Sequence, residues 1–339
     1  YLTGGLGARH AGESFGKDYE LPNATAYAET CAAIGLVFFA HRMLQSEAKG
    51  HYADILELAL FNGVLSGLGL DGKHYFYVNP LSFDGRMLFN HETGQRQEWF
   101  GCACCPPNLA RLVASLGQYI YSTTDDGVYV HLYAGSETTF NIDGKTLSLT
   151  QQTDYPWDNR INLTVDSPVP LKTVIRLRVP DWCPAYELTV NGESVEPPLQ
   201  NGYLILDREW NGQENIELHL QMPVNRVVAD PRVEALRGCV ALMRGPIVYC
   251  AEQIDNAEPV SSLVIPANSN LTARYRPELL GGCHVIEGDI EAVEQADPDR
   301  LYTAADKRNY KPARLQAIPY ALWSNRGNYP MTVWMADRQ

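Results

Sequence analysis

The sequence has no apolar run long enough to span a bilayer, which excludes a transmembrane helix. It has no basic excess either: 27 Lys and Arg stand against 40 Asp and Glu, giving a formal net charge of −13. Nucleic acid and anionic membrane both reward a basic face, so neither is expected as a partner. A neutral ligand such as a sugar suits this charge. There is no internal repeat and no low-complexity tract. There is also no initiating Met and no basic-then-apolar leader, since the chain opens Tyr1-Leu2-Thr3-Gly4-Gly5. The natural start is therefore expected upstream.

What is present points to a multidomain protein. A length of 339 residues exceeds one ordinary core, so two or three domains are expected. The 45% hydrophobic and 20% charged residues are ordinary for a globular chain. Residues 1–122 read as helical. Asn23 is a candidate N-cap, with Tyr27, Cys31, Ile34 and Phe38 following at helical spacing. A second helix fits Tyr52 to Leu68 and is ended by Gly67, Gly69 and Gly72. His74 to Leu81 alternates like a short strand. A third helix starts at Pro106-Pro107, where proline suits the first turn. His41 and His51 read as surface or capping groups near helix ends.

After Ser122 the texture becomes that of strands. Val128–Tyr133, Leu147–Leu149, Arg160–Val165 and Thr173–Val179 are short β-type runs, and Asn191-Gly192 and Asn201-Gly202 mark turns. Residues 123–226 therefore read as one antiparallel β-sandwich. Residues 227–339 read as a second, whose last strand may belong with the first. Within the second block, Val240 to Tyr249 reads as a strand pair broken at Arg244-Gly245-Pro246, and 286–312 as a surface loop. About three helices cannot close a barrel or bundle around a pocket. Partners are expected before Tyr1 or on another chain, a homodimer included.

Eight cysteines in a chain this long do not demand a disulfide framework. Cys183, Cys239, Cys250 and Cys283 are scattered through strand-like sequence and read as buried small apolar residues. Cys102-Ala103-Cys104-Cys105-Pro106-Pro107 is different. Thiolates are soft ligands that favour zinc or iron–sulfur. The prolines place Cys104 and Cys105 just before a helix start, where free N–H groups and the dipole are expected to stabilise a thiolate. Such a cluster is typical of a reducing compartment, so a cytoplasmic location is expected. The competing explanation is a chance group of buried cysteines.

Further candidate ligands lie at Glu29-Thr30-Cys31. Residues two apart on a regular helix point to opposite sides, so sharing one metal requires an irregular backbone there or a helix that begins later than Asn23. Glu13 sits in a glycine-rich stretch, Gly4 through Ser14, of the kind that lets backbone approach a ligand. The stretch lacks Gly-Lys-Ser/Thr and no strand precedes it, which argues against a phosphate loop. As a bare sequence feature, Glu13 reads equally as a solvated charge. His10, Tyr75, Tyr77, Asn79, His91, Glu98 and Trp99 are pocket candidates, because aromatics and amides suit sugar faces and hydroxyls.

Taken together these motifs resemble glycoside hydrolase family 127. The matching stretches are Thr3-Gly4-Gly5 through Gly12-Glu13, Tyr27-Ala28-Glu29-Thr30-Cys31, Tyr77-Val78-Asn79-Pro80-Leu81, Cys102 through Asn108, and Ile318 through Gly327. The resemblance implies the C-terminal part of an (α/α)6 barrel followed by two antiparallel β-sandwich domains, with the chain beginning inside the barrel. It implies a retaining β-L-arabinofuranosidase with a zinc-bound cysteine nucleophile, acting on an L-arabinofuranose-containing oligosaccharide or glycoconjugate. It assigns Glu29, Cys31, Cys104 and Cys105 as zinc ligands, Cys104 as nucleophile and Glu13 as general acid/base, and leaves Cys102 outside the metal shell. His10, Tyr77 and Asn79 are the candidate substrate contacts. The alternatives are a non-catalytic carbohydrate-binding or scaffold protein with a structural zinc, and a metal-free thiol enzyme.

Overall fold

In the computed structural model, which describes residues 1–294, 301–302 and 304–338, helices crowd the first third and strands fill the rest. The chain divides into two compact units. The first comprises Tyr1–Ile34, Ala59–Leu109 and Pro223–Gln339, and the second Gly35–Leu58 and Ala110–Met222. Among the described residues, no helix is long and apolar enough to cross a membrane.

Helix α1 spans Thr30–Ser46, six residues later than the Asn23 cap suggests. The delay has a local cause. Ala28 takes a left-handed φ of 38°, which no helix tolerates, so the helix nucleates after it. The carbonyl of Glu29 then accepts from the Ala32 and Ala33 amides at 3.0 and 3.1 Å. His41 lies inside α1, not at its end, and packs on Tyr119 with ring centroids 4.6 Å apart. Helix α2, Gly50–Leu58, does not run on regularly to Leu68: it passes into a π-helical stretch, Ala59–Val64, and a 3-10 turn, Leu65–Gly67. Helix α3 is Cys105–Ala114, with both prolines in its first turn.

In the first unit the π-helical stretch is overlaid by the glycine-rich N-terminal strip. A Cβ on Gly4, whose φ is +72°, would come within 2.5 Å of the Ala59 Cα, and the Gly63 amide donates to the Thr3 carbonyl at 2.9 Å. The close approach that glycine permits here is to the protein's own helix. The expected strand at His74–Leu81 is absent. Only isolated bridges pair Tyr75 with Leu68 and Gln97, because the Tyr77 amide donates to the Asn90 side chain, the Asn79 amide to the Tyr27 carbonyl, and the Tyr77 carbonyl accepts from the Thr30 amide. A ten-stranded sheet completes this unit. Its strands Cys239–Arg244 and Ile247–Glu252 form the pair broken at Gly245. Phe76, Phe83, Phe89 and Trp323 form an aromatic core, with Phe76 and Trp323 stacked at 4.9 Å.

The expected surface loop at 286–312 is a correction. Cys283–Val293 and Tyr310–Pro319 are paired antiparallel strands; of their charged residues Asp289 is exposed, whereas Glu287 is buried and paired with Arg276 at 3.1 Å. The middle of that stretch, 295–300 with 303, lies outside the described residues.

The second unit holds a nine-stranded sheet. The runs expected as two strands at Arg160–Val165 and Thr173–Val179 are one strand, Arg160–Arg178. It pairs with Tyr203–Leu220, and at a register shift residues 168–170 stand opposite Asn211 alone. The bulge bends the pair without breaking it. Asn191-Gly192 and Asn201-Gly202 are both left-handed, as a type I′ hairpin turn requires. Neither sheet is wholly antiparallel. Gly127–Val130 runs parallel to Arg160–Arg178, and Leu263–Pro266 parallel to Met335–Arg338. Of the scattered cysteines, Cys250 and Cys283 are buried as expected, whereas Cys183 and Cys239 are half-buried.

Candidate metal and catalytic centre

In the first unit four groups converge. One donor atom from each of Glu29, Cys31, Cys104 and Cys105 lies within 4.8 Å of the others. Two chain segments supply them. Glu29 is the last residue before α1 and Cys31 its second residue, so the pair straddles the helix start and is not held to the spacing of a regular helix. On the other side, the Asn108 amide donates to the Cys104 carbonyl at 3.2 Å, which makes Cys104 the cap of α3 and Cys105 its first residue. Cys104 Sγ lies 3.3 Å from Glu29 Oε1, 3.7 Å from Cys105 Sγ and 2.9 Å from the Tyr77 hydroxyl. The Asn108 side-chain amide donates to Cys31 Sγ at 3.2 Å. Cys102 is exposed and stands outside the group.

The electrostatics correct one expectation. Cys31 is drawn down to about 7, first by the hydrogen bond from the Cys105 thiol, against burial, and then by Asn108 and Cys104. Cys104 is not eased toward thiolate by its helix start. Burial pushes it up to about 12, with Cys31 and Glu29 adding and Tyr77 opposing. Cys105 is raised well above the thiol range because it donates to Cys31 and is buried. One negative sulfur is therefore tolerated and further ones are resisted by burial and like charge. A divalent cation held by the four donors would lower that resistance. Three sulfurs and a carboxylate, already gathered and already hydrogen-bonded from outside by Tyr77 and Asn108, are a donor set suited to a metal.

An aromatic shell adjoins the cluster. Tyr77 is 3% exposed and packs on His91 at 4.4 Å and on Phe100 at 5.4 Å. Tyr27 lies next to it with ring centroids 6.3 Å apart, and His10 meets Tyr27 edge-on at 5.1 Å. Glu13 is exposed, and its Oε1 accepts from the Tyr27 hydroxyl at 2.8 Å. Glu98 and Trp99 are exposed, and Tyr75 is half-buried in its bridges.

Asn79 is placed differently from the expected sugar contact. It is 1% exposed, its amide nitrogen donates to the Ala28 carbonyl and the Thr30 hydroxyl at 2.9 Å each, and its oxygen accepts from Ser66 at 2.8 Å. An amide so engaged clamps the turn that presents Glu29 and has no polar atom left for a ligand. Tyr27 was legible only as a helix-face residue, because the pattern gave no sign of the turn at Ala28. Asn108 was named only as the end of the Cys102-to-Asn108 stretch that carries the family resemblance.

Three family models match consecutive stretches of the chain. They are the β-L-arabinofuranosidase GH127 catalytic domain over residues 1–118, the β-L-arabinofuranosidase GH127 middle domain over 127–222, and the glycoside hydrolase family 127 C-terminal domain over 224–336. A curated non-reducing end β-L-arabinofuranosidase of Bifidobacterium longum subsp. longum is 41% identical over 343 residues, 96% of this chain and 51% of that protein. A solved GH127 β-L-arabinofuranosidase from Geobacillus stearothermophilus T6 superposes with a TM-score of 0.95 at 45% identity, covering 100% of this chain and 54% of that one. Another solved GH127 β-arabinofuranosidase gives 0.91 at 40% identity, covering 99% and 54%. The chain thus spans about half the length of the curated relative it matches.

Proposed function

The chain belongs to glycoside hydrolase family 127, and on that premise we propose that it carries the reactive groups of a retaining glycosidase releasing β-L-arabinofuranose from arabinofuranosides. The observation that carries this reading is the Glu29–Cys31–Cys104–Cys105 cluster with Glu13 held on the adjoining tyrosine shell. We assign the helices of residues 1–122 to the C-terminal part of an (α/α)6 barrel, and 123–226 and 227–339 to two β-sandwich domains. The proposed substrate is an L-arabinofuranose-containing oligosaccharide or glycoconjugate, with His10 and Tyr77 as sugar contacts.

The metal proposed for the cluster is zinc, held by Glu29, Cys31, Cys104 and Cys105. When bound, zinc lowers thiol pKa values and stabilises a departing sulfur anion. The chain's own residues do the rest. Cys104 Sγ attacks the anomeric carbon, a C–S bond forms as the C–O bond breaks, and Glu13 gives its proton to the leaving oxygen. Glu13 then takes a proton from water, the water oxygen bonds to the anomeric carbon, and the sulfur is released with retention of configuration. Tyr77, 2.9 Å from Cys104 Sγ, orients the sulfur.

Glu13→Gln tests the assignment in the full-length gene product. Zinc content should be unchanged. The loss should reach about 10²–10⁴-fold with a sugar leaving group and be far smaller in the first step with a good phenolic one. A sugar adduct should accumulate on Cys104, read by mass spectrometry. Loss of zinc, or equal slowing of both substrates without an adduct, would remove Glu13 from this role.

A further inference from the structure

Glu13 sits on a turn that gives its side chain no packing of its own. Arg9 and Ser14 exchange backbone hydrogen bonds at 3.1 Å, and the Glu13 amide donates to the His10 carbonyl at 3.2 Å. Gly12 and Glu13 are both left-handed, at φ 69° and 49°. A left-handed backbone is disfavoured for a non-glycine residue, so the turn holds its backbone against a local preference. The exposed side chain has no such restraint from packing. Fixing a free glutamate side chain costs rotamer freedom. A group that must meet one leaving oxygen needs that freedom removed before substrate arrives.

Tyr27 is built to remove it. Its hydroxyl donates to Glu13 Oε1 at 2.8 Å. Its own position is fixed on every side: the residue is 5% exposed, its carbonyl accepts from the Asn79 amide at 3.2 Å, and the next amide, of Ala28, donates to Gly7 at 2.9 Å. His10 closes on the ring edge-on and Tyr77 flanks it. Two residues on, past the turn at Ala28, stands Glu29 of the thiol cluster.

We propose that Tyr27 is the positioning residue of the acid/base: its hydroxyl occupies Oε1 of Glu13 and leaves Oε2 as the oxygen that carries the proton to and from the reacting atoms. The tripeptide Tyr27-Ala28-Glu29 is then a rigid spacer. One end grips the acid/base, the other enters the cluster that contains Cys104, and Asn79 clamps the turn between them. This inference rests on the assignment of Glu13 as acid/base.

The test is a double-mutant cycle in the zinc-loaded full-length gene product. Tyr27→Phe keeps the ring and removes only the hydroxyl. With a sugar leaving group, kcat should fall by about 10–100-fold, with KM and zinc content unchanged. The defect should shrink with a phenolic leaving group. Added to Glu13→Gln, Tyr27→Phe should cost nothing further, because it acts only through Glu13. If Glu13→Gln shows its leaving-group dependence and Tyr27→Phe still multiplies the loss, the positioning role is overturned and the function stands. A rise in KM with kcat intact overturns it too, and makes Tyr27 a sugar contact. If Glu13→Gln itself shows no leaving-group dependence, the acid/base assignment fails and this inference falls with it.

Discussion

Glu29 and Cys31, two residues apart, face the same side of the chain and bring their donor atoms within 4.8 Å of one another. A regular helix through both would oppose them. The pair straddles the start of α1 at Thr30, with Glu29 still outside the helix, so the regular spacing does not bind it.

The protein should bind one zinc per chain, measurable by elemental analysis. Cys105→Ser should lower occupancy sharply, because a hydroxyl is a poor zinc ligand beside thiolates. Cys102→Ser, exposed and outside the cluster, should leave it unchanged. Equal losses at both positions would contradict the ligand assignment.

Asn79 should matter for stability and metal together. Asn79→Ala strips partners from the Ala28 carbonyl and the Thr30 and Ser66 hydroxyls, all buried. The expected loss is on the order of 3 kcal/mol by chemical denaturation. Metal retention against a competing chelator should weaken as well, since the turn presenting Glu29 is released. Full stability in this variant would mean the turn holds itself.

Arg178 is fully buried in the second unit and meets Glu57, 1% exposed, and Asp54, 17% exposed. Burial raises Asp54 to about 6 despite the guanidinium. Arg178→Met leaves buried carboxylates unpaired and should cost about 3–5 kcal/mol. Arg178→Met with Glu57→Leu should cost less than the single change, by denaturant unfolding. A larger loss in the double variant would show that Glu57 is held chiefly by Tyr155, which also donates to it.

His131 should make the protein acid-sensitive. It is 1% exposed, lies 2.7 Å from both the Ser122 and Tyr203 hydroxyls, and is held down to about 3 by burial and then by Arg178. Unfolded histidine titrates near 6.5. Below that pH the unfolded chain gains a proton that the folded one refuses, so stability is full above about 6.5 and is lost as pH falls toward 3. Between pH 7 and 5 the loss from this residue should be about 2 kcal/mol. His131→Gln should lack that increment in unfolding experiments at the two pH values, and an unchanged slope would count against it.

Sequence alone determined the order of helices then strands, the Asn-Gly turns and the Cys102-to-Cys105 run as a candidate thiol site, because periodicity, left-handed turn residues and ligand chemistry are written locally, while the joining of Glu29 and Cys31 to it came from the family resemblance. Non-local contacts decided the rest. The start of α1 was misplaced because Asn23 is a good cap in isolation, whereas Ala28 is held in its turn by Asn79, about fifty residues on. Arg160–Val165 and Thr173–Val179 became one strand because a partner strand bridges the prolines between them. The charged 283–293 and 310–319 segments became strands because they pair with each other, which a hydropathy pattern cannot register. Cys104 carries its thiol chemistry in its name, but its resistance to ionisation comes from folding, first through burial and then through Cys31 and Glu29, with the Tyr77 hydroxyl opposing them.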